Sequence, residues 1–125
     1  MPIALSVALF GSLGALSRYG VDLLIERHTD AVFPISTFVI NITGCVIAGA
    51  AVGVIVDRWH EPSWLSVGIV TGFLGAYTTF STFAFETHDL IQQGRAGLAA
   101  ANVLASVTAG LGGIYLGLLL VGRGL

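Results

Sequence analysis

One stretch decides how this chain folds: Thr71-Gly72-Phe73-Leu74-Gly75-Ala76-Tyr77-Thr78-Thr79-Phe80-Ser81-Thr82-Phe83. Two glycines precede a run of hydroxyl side chains that is interleaved with Phe80 and Phe83. The stretch lies inside an apolar segment, roughly residues 64–90, that is longer than the ~20 residues a helix needs to cross a bilayer. Glycines and clustered hydroxyls at this depth predict a broken helix. The alternative is a kinked helix whose hydroxyls bond back to their own turn.

A break in a membrane helix exposes carbonyl groups at one half-helix end and N–H groups at the other. Carbonyls bind cations, and the positive N-terminal end favours anions. Phe80 and Phe83 are three residues apart and share a helix face. Because the edge of an aromatic ring is electropositive, an anion can lie against it in the ring plane. Packing against lipid or protein is the alternative role for this pair.

Three other apolar segments accompany this one. The four segments that can cross a bilayer are roughly residues 3–25, 36–56, 64–90 and 98–121. Charged residues make up 10% of the 125 residues and apolar ones 55%, whereas a soluble domain carries about 25% charged residues. We therefore expect an all-α membrane protein, with residues 1–125 forming a single four-helix transmembrane domain. Trp59 and Trp64 suit the headgroup level beside the middle loop.

Several classes of function are disfavoured by this sequence. There is no lysine and the arginines are scattered, which argues against a nucleic-acid partner. No nucleophile–base pair or cofactor motif is visible, so we expect no enzyme. Glu86, His88 and Asp89 resemble a metal-ligand set, but they lie at a helix end, where a solvated charged face is expected.

Polar side chains also interrupt the first two spans. Asn41 lies near the start of the second span, and a buried amide in a bilayer needs partners. Its NH2 group can donate to an anion, and an interhelical hydrogen bond is the alternative. Arg18 and Asp22 are four residues apart and able to pair along one face of the first span. Alternatively, Arg18 attracts an anion toward a vestibule.

Glycine spacing predicts close helix packing. Pairs with the G-x-x-x-G spacing, which lets membrane helices approach closely, are Gly49 and Gly53, Gly68 and Gly72, and Gly113 and Gly117.

The loop arginines leave the orientation undecided. With four spans, Arg58 and Arg123 lie on one side of the membrane and Arg27 and Arg95 on the other. Arginine excess normally marks the cytoplasmic side. A balanced count is either noise from few charges or the mark of a chain that inserts both ways and pairs as an antiparallel dimer.

These features together resemble the Fluc/CrcB family of fluoride channels, over nearly the whole chain and all four spans. The motifs that carry the resemblance are Gly11-Ser12-Leu13-Gly14-Ala15-Leu16-Ser17-Arg18-Tyr19, Thr37-Phe38-Val39-Ile40-Asn41 with Gly44, and residues 71–83. The resemblance implies an antiparallel, dual-topology homodimer in the bacterial inner membrane, surrounded by lipid. It also implies two pores that pass fluoride by electrodiffusion and lower its cytoplasmic concentration.

The resemblance also assigns residues to sites. It implies a structural sodium ion at the dimer interface, held by the backbone carbonyls of Gly75 and Thr78. Its pore residues match Asn41, Phe80 and Phe83, and its first-helix arginine matches Arg18 in the vestibule. The hydroxyls expected to add hydrogen-bond donors to the fluoride pore are those of Ser81, Thr82 and Ser106.

The sequence departs from the family on the fourth helix. Ser106 is present on the pore-facing side, but Gly110 and Ile114 occupy later turns and Asn102 stands where a tyrosine can occur. A heterodimer with a second family member therefore stays open. So do two other classes: a small dual-topology, proton-coupled exporter of cationic compounds, and a non-conducting subunit. The exporter requires a carboxylate within the membrane.

Overall fold

The computed structural model describes residues 1–58 and 62–123. These contain the helices α1 (Ile3–Glu26), α2 (Ile35–Arg58), α3 (Trp64–Val67), α4 (Gly75–Tyr77), α5 (Phe80–Gln92) and α6 (Ala96–Leu120). A π-helical segment, Gly68–Leu74, joins α3 to α4. From α3 to α5 the chain forms one bent span, Trp64–Gln92.

The predicted four spans are confirmed, since four helices are long and apolar enough to cross a membrane. Their ends agree with the prediction to within two residues. The predicted break in the third span is also confirmed, because helical structure stops between Tyr77 and Phe80. Trp59, expected at the headgroup level, lies outside the described residues.

Helices α2 and α6 pack closely through the predicted glycine pairs. A Cβ atom added to Gly117 would overlap the carbonyl oxygen of Val46 and lie 2.6 Å from the backbone nitrogen of Ala50. Across the same contact, a Cβ atom on Gly49 would overlap the carbonyl oxygen of Ile114. The backbones of the two helices therefore touch, as G-x-x-x-G spacing permits.

Helix α1 packs in the same way against the first half of the third span. Gly68 and Gly72 leave room for Phe10 of α1. In return, Gly14 lies directly against the carbonyl of Phe73. These contacts hold the π-helical segment beside α1 and so position the break that follows it.

The distribution of side chains suits lipid rather than water. Most of the leucine side chains are exposed. The buried polar residues include Ser6, Ser36, Thr37, Ser66, Thr79 and Asn102. At one end of the molecule, Arg123 donates a hydrogen bond to Asp57 in a salt bridge. This pair joins the C-terminal end of α2 to the residues that follow α6.

The packing of α6 predicts opposite outcomes for two of its glycines. Gly117→Ala should lower the free energy of unfolding by about 2 kcal/mol, because the new methyl group overlaps the backbone of α2. Gly112→Ala is the matched control, since nothing lies within 4 Å of the added Cβ atom. The control should be neutral or slightly stabilising, as alanine favours the helix. Thermal unfolding of the purified protein in detergent measures both, and equal losses would contradict the packing.

Candidate functional site

The break in the third span consists of two extended residues. Thr78 has φ −80° and ψ 157°, and Thr79 has φ −147° and ψ 114°. At the first of these two residues, the N–H and the hydroxyl of Thr78 both donate to the carbonyl of Leu74, at 3.0 and 2.9 Å. The Thr78 hydroxyl thus bonds back to its own turn, as the alternative interpretation of this stretch expected, but the helix is broken nevertheless.

Asn41 of α2 holds the break open with two hydrogen bonds. Its Nδ2 donates to the carbonyl of Thr79 at 3.0 Å, and its Oδ1 accepts from the N–H of Thr79 at 2.8 Å. In a continuous helix the N–H of Thr79 would donate to the carbonyl of Gly75, four residues earlier. Because Asn41 takes this donor, the Gly75 carbonyl loses its usual helical partner.

At the start of α5, a second backbone N–H donates to a side chain instead of to a backbone carbonyl. Thr79 is the N-cap of α5, and its Oγ1 accepts from the N–H of Thr82 at 3.2 Å. That N–H would otherwise reach the carbonyl of Thr78. The carbonyls of Gly75 and Thr78 are therefore both deprived of the donors that a continuous helix would supply. Carbonyls released in this way are suited to binding a cation.

The end of α4 is fixed by a buried tyrosine. Tyr77 is 6% exposed, its ring stacks on Phe73 with centroids 5.8 Å apart, and its hydroxyl lies 2.9 Å from Thr43 Oγ1. Gly44 faces the methyl group of Thr78 with no room for a Cβ atom. Both halves of the broken span are thus anchored to α2 within one turn of Asn41.

Beside the break lies a mostly apolar cavity of about 490 Å³, which we call the aromatic groove. Its lining includes most of the residues predicted to form the ion sites, namely Asn41, Gly75, Thr78, Phe80, Phe83 and Ser106. The rings of Phe80 and Phe83 are 5.8 Å apart and inclined at 46°. Phe80 is 79% exposed in this single chain, so the groove is open on the side of that ring.

Three other predicted residues lie outside the aromatic groove. Ser81 is exposed, and Thr82 lines a separate recess of about 270 Å³ together with Arg18. Asp22 borders this recess but accepts a hydrogen bond from Ser36. Of the two roles left open for Arg18, pairing with Asp22 is not seen, since the only salt bridge within the described residues is Asp57–Arg123.

Glu86 was misassigned from the sequence. Instead of lying on a solvated face, it accepts a hydrogen bond from the hydroxyl of Thr37 at 2.6 Å, and its Oε2 is buried. Its neighbours His88 and Asp89 are exposed, as expected. A signal was present, because Glu86 follows Phe83 by three residues and so shares its helix face.

A hydrogen-bonded chain between α5 and α6 was also missed. Asn102 is 2% exposed and donates from Nδ2 to Thr87 Oγ1 at 2.9 Å. Ser106 Oγ donates to Asn102 Oδ1 at 3.3 Å. The only sequence signal was the presence of an amide inside the fourth span, where it needs partners.

Comparison with known proteins places the chain in a family. Residues 5–118 match the family model described as CrcB-like protein, Camphor Resistance (CrcB). A relative from Solibacter usitatus, named fluoride-specific ion channel FluC, is 40% identical over 119 residues, covering 95% of this chain and 98% of the relative. A relative of the same name from Acidobacterium capsulatum is 42% identical over 118 residues, covering 94% of each chain.

A third relative, fluoride-specific ion channel FluC 1 from Streptomyces avermitilis, is 44% identical over 105 residues, or 84% of each chain. The family match reaches into all four spans of the described structure. The relatives are ion channels and not enzymes. The chain is thus a multi-pass membrane protein and belongs to the CrcB family of ion channels.

Proposed function

We propose that this chain forms a fluoride-selective channel that exports fluoride from the bacterial cytoplasm by passive electrodiffusion. The observation that carries the proposal is the aromatic groove, which is lined by the rings of Phe80 and Phe83 together with Asn41 and Ser106. None of the described residues that line it is charged. A fixed full charge would hold a small anion too tightly to release it.

Fluoride selectivity follows from the size of the ion. Fluoride is small and strongly hydrated, so a pore must replace its water with close hydrogen-bond donors and positive ring edges. One Nδ2 hydrogen of Asn41 is used by Thr79 and the second stays available. Thr82 lies on the side of Arg18, in the approach to the proposed pore, and Ser81 is exposed; neither residue lines the groove itself. Chloride is larger and fits such a narrow set of contacts poorly.

The open side of the aromatic groove favours an antiparallel homodimer. The ring of Phe80, 79% exposed in one chain, would be covered by a second copy. The two-against-two arginine count fits a chain that inserts in both orientations of the bacterial inner membrane. Heterodimers stay open, because Gly110 and Ile114 place no hydroxyl beyond Ser106.

The released carbonyls favour a structural sodium ion. Gly75 and Thr78 would hold it through backbone oxygens, the type of ligand that hard cations prefer. A bound sodium supplies a fixed positive charge to the centre of the dimer. Asn41 keeps the Gly75 carbonyl free, and the Thr79 cap does the same for Thr78.

One observation favours the exporter as a second candidate. Glu86 is a partly buried carboxylate with a buried, unpartnered oxygen, and proton-coupled exporters need a carboxylate within the membrane. Fluoride efflux from liposomes without any proton gradient separates the two functions. The aromatic groove is the stronger evidence, since none of the described residues that line it is a carboxylate that could exchange protons for a cation.

The ring edges can be tested by fluoride efflux from liposomes that contain only this protein. The unmodified chain should release fluoride and retain chloride under the same gradient. Phe80→Ile and Phe83→Ile keep bulk but remove the ring edge, and each should reduce fluoride efflux about tenfold. Phe85→Ile is the matched control, because Phe85 lies on the same helix at 71% exposure but outside the groove. Normal efflux from both groove variants would mean that the rings only pack.

Dual topology can be tested with reporters fused to the C-terminus. Because the loop arginines are balanced, the reporters should be found on both sides of the membrane in comparable amounts. Two arginines added to the loop between α2 and α3 should shift the distribution toward one side. A single orientation in more than about nine in ten unmodified molecules would rule out the antiparallel dimer.

The sodium site can be tested through stability. Replacing potassium with sodium should raise the thermal midpoint of the unmodified protein. Asn41→Leu should abolish that dependence, because the N–H of Thr79 is free to return to the Gly75 carbonyl. Asn102→Leu is the matched control, since it removes two hydrogen bonds of a buried amide that has no hydrogen bond to the residues of the break. Sodium dependence that survives Asn41→Leu, or that is absent from the unmodified chain, would contradict the proposed site.

A further inference from the structure

Four groups form a hydrogen-bonded chain beside the aromatic groove. The Thr87 hydroxyl donates to the carbonyl of Phe83 at 2.7 Å, and Asn102 Nδ2 donates to Thr87 Oγ1 at 2.9 Å. The last link is from the Ser106 hydroxyl to Asn102 Oδ1 at 3.3 Å. The chain starts at one groove residue, Phe83, and ends at another, Ser106.

The donor direction of every link is fixed by the first one. A backbone carbonyl only accepts, so the single proton of Thr87 is committed to Phe83. The Thr87 oxygen can then only accept, which requires the NH2 end of the Asn102 amide. The carbonyl end of Asn102 therefore faces Ser106, and Ser106 must donate.

This direction has a consequence for Ser106, which lines the aromatic groove. A serine hydroxyl has one proton, and here that proton points at Asn102. Toward the groove Ser106 can offer only lone pairs, which repel an anion. The link to Asn102 is 3.3 Å long, beyond the usual 2.5–3.0 Å of an O–H···O bond, so it is weak and easily exchanged.

We propose that Asn102 is a positioning residue that holds the Ser106 proton out of the aromatic groove until an anion arrives. The proposal rests on the proposed fluoride conduction and adds residues that act through Ser106. An anion competes successfully for the proton, because a hydrogen bond to a charged acceptor is roughly twice as strong as a neutral one. When the anion leaves, the hydroxyl returns to Asn102.

Thr87 acts one step further back. It keeps the amide of Asn102 from rotating, since the opposite orientation would set the amide oxygen against the Thr87 oxygen and leave the latter without its donor. Ser106 therefore donates to the groove only when an anion is present. Because its hydroxyl otherwise stays bonded to Asn102, it does not trap the ion, and conduction requires that the ion can leave.

Two variants, at the two middle members of the hydrogen-bonded chain, release the Ser106 proton. Thr87→Val frees the amide to rotate, and Asn102→Leu removes the acceptor altogether. Each should increase fluoride efflux at low fluoride by about two- to threefold, the low end of the factor that one hydrogen bond represents, because the link between Ser106 and Asn102 is weak. In a Ser106→Ala background both increases should disappear, because the variants act through Ser106. Thr108→Val is the matched control, since the Thr108 hydroxyl is exposed and bonds to its own helix at Leu104.

A merely structural role gives a different pattern. Damaged packing lowers efflux in both variants, and it does so equally whether Ser106 is intact or replaced by alanine. Equal effects in the two backgrounds, in either direction, would overturn the proposal.

A second readout is independent of conduction. In NMR spectra of the detergent-solubilised protein, added fluoride should shift the side-chain amide signal of Asn102 in the unmodified chain. It should not do so in Ser106→Ala. An Asn102 signal that does not respond to fluoride, or that responds equally without Ser106, overturns the inference. If the unmodified chain passes no fluoride, the proposed function fails, and the NMR comparison still decides whether Asn102 gives up the proton.

Discussion

The structure depends on the pair of hydrogen bonds between Asn41 and the backbone of Thr79. Lipid offers no hydrogen-bond partners, so broken helices persist in membranes only where protein or enclosed water satisfies the freed backbone groups. One amide side chain provides both a donor and an acceptor and so replaces two backbone partners at once. The N-cap at Thr79 and the anchored Tyr77 complete the arrangement on either side.

The same constraint explains how the proposed ion-binding groups can be almost all neutral. The break redirects carbonyls and N–H groups that the chain already has, so no lysine or arginine is needed in the aromatic groove. Arg18 stands apart in its own recess with Thr82. In the proposed channel, a full charge at the entrance would attract ions and partial charges inside would let them pass.

The broken span could be predicted from the sequence because its signal is local: glycines, hydroxyls and phenylalanines within 13 residues. Partners distant in the chain could not be predicted. Asn41 and Thr79 are 38 residues apart, and spacing alone left the role of the amide open. The spacing of Arg18 and Asp22 likewise left their pairing open, and in the structure Asp22 accepts a hydrogen bond from Ser36 instead. The prediction of a solvated face for Glu86 was wrong because its place near a helix end implied exposure, whereas Thr37 of α2 covers it.

Because Asp57 and Arg123 form a salt bridge, the charge near these residues differs between the nascent chain and the folded protein. Its two residues are 66 positions apart, so it forms only after the last helix has been synthesised and has packed against α2. During synthesis Arg123 is an unpaired cation and counts toward orientation, to which aspartate contributes little. After folding, the pair is neutral. Of the four loop arginines, Arg123 is thus the one whose weight in the charge count is smaller after folding than during insertion, since within the described residues it alone of these arginines forms a salt bridge.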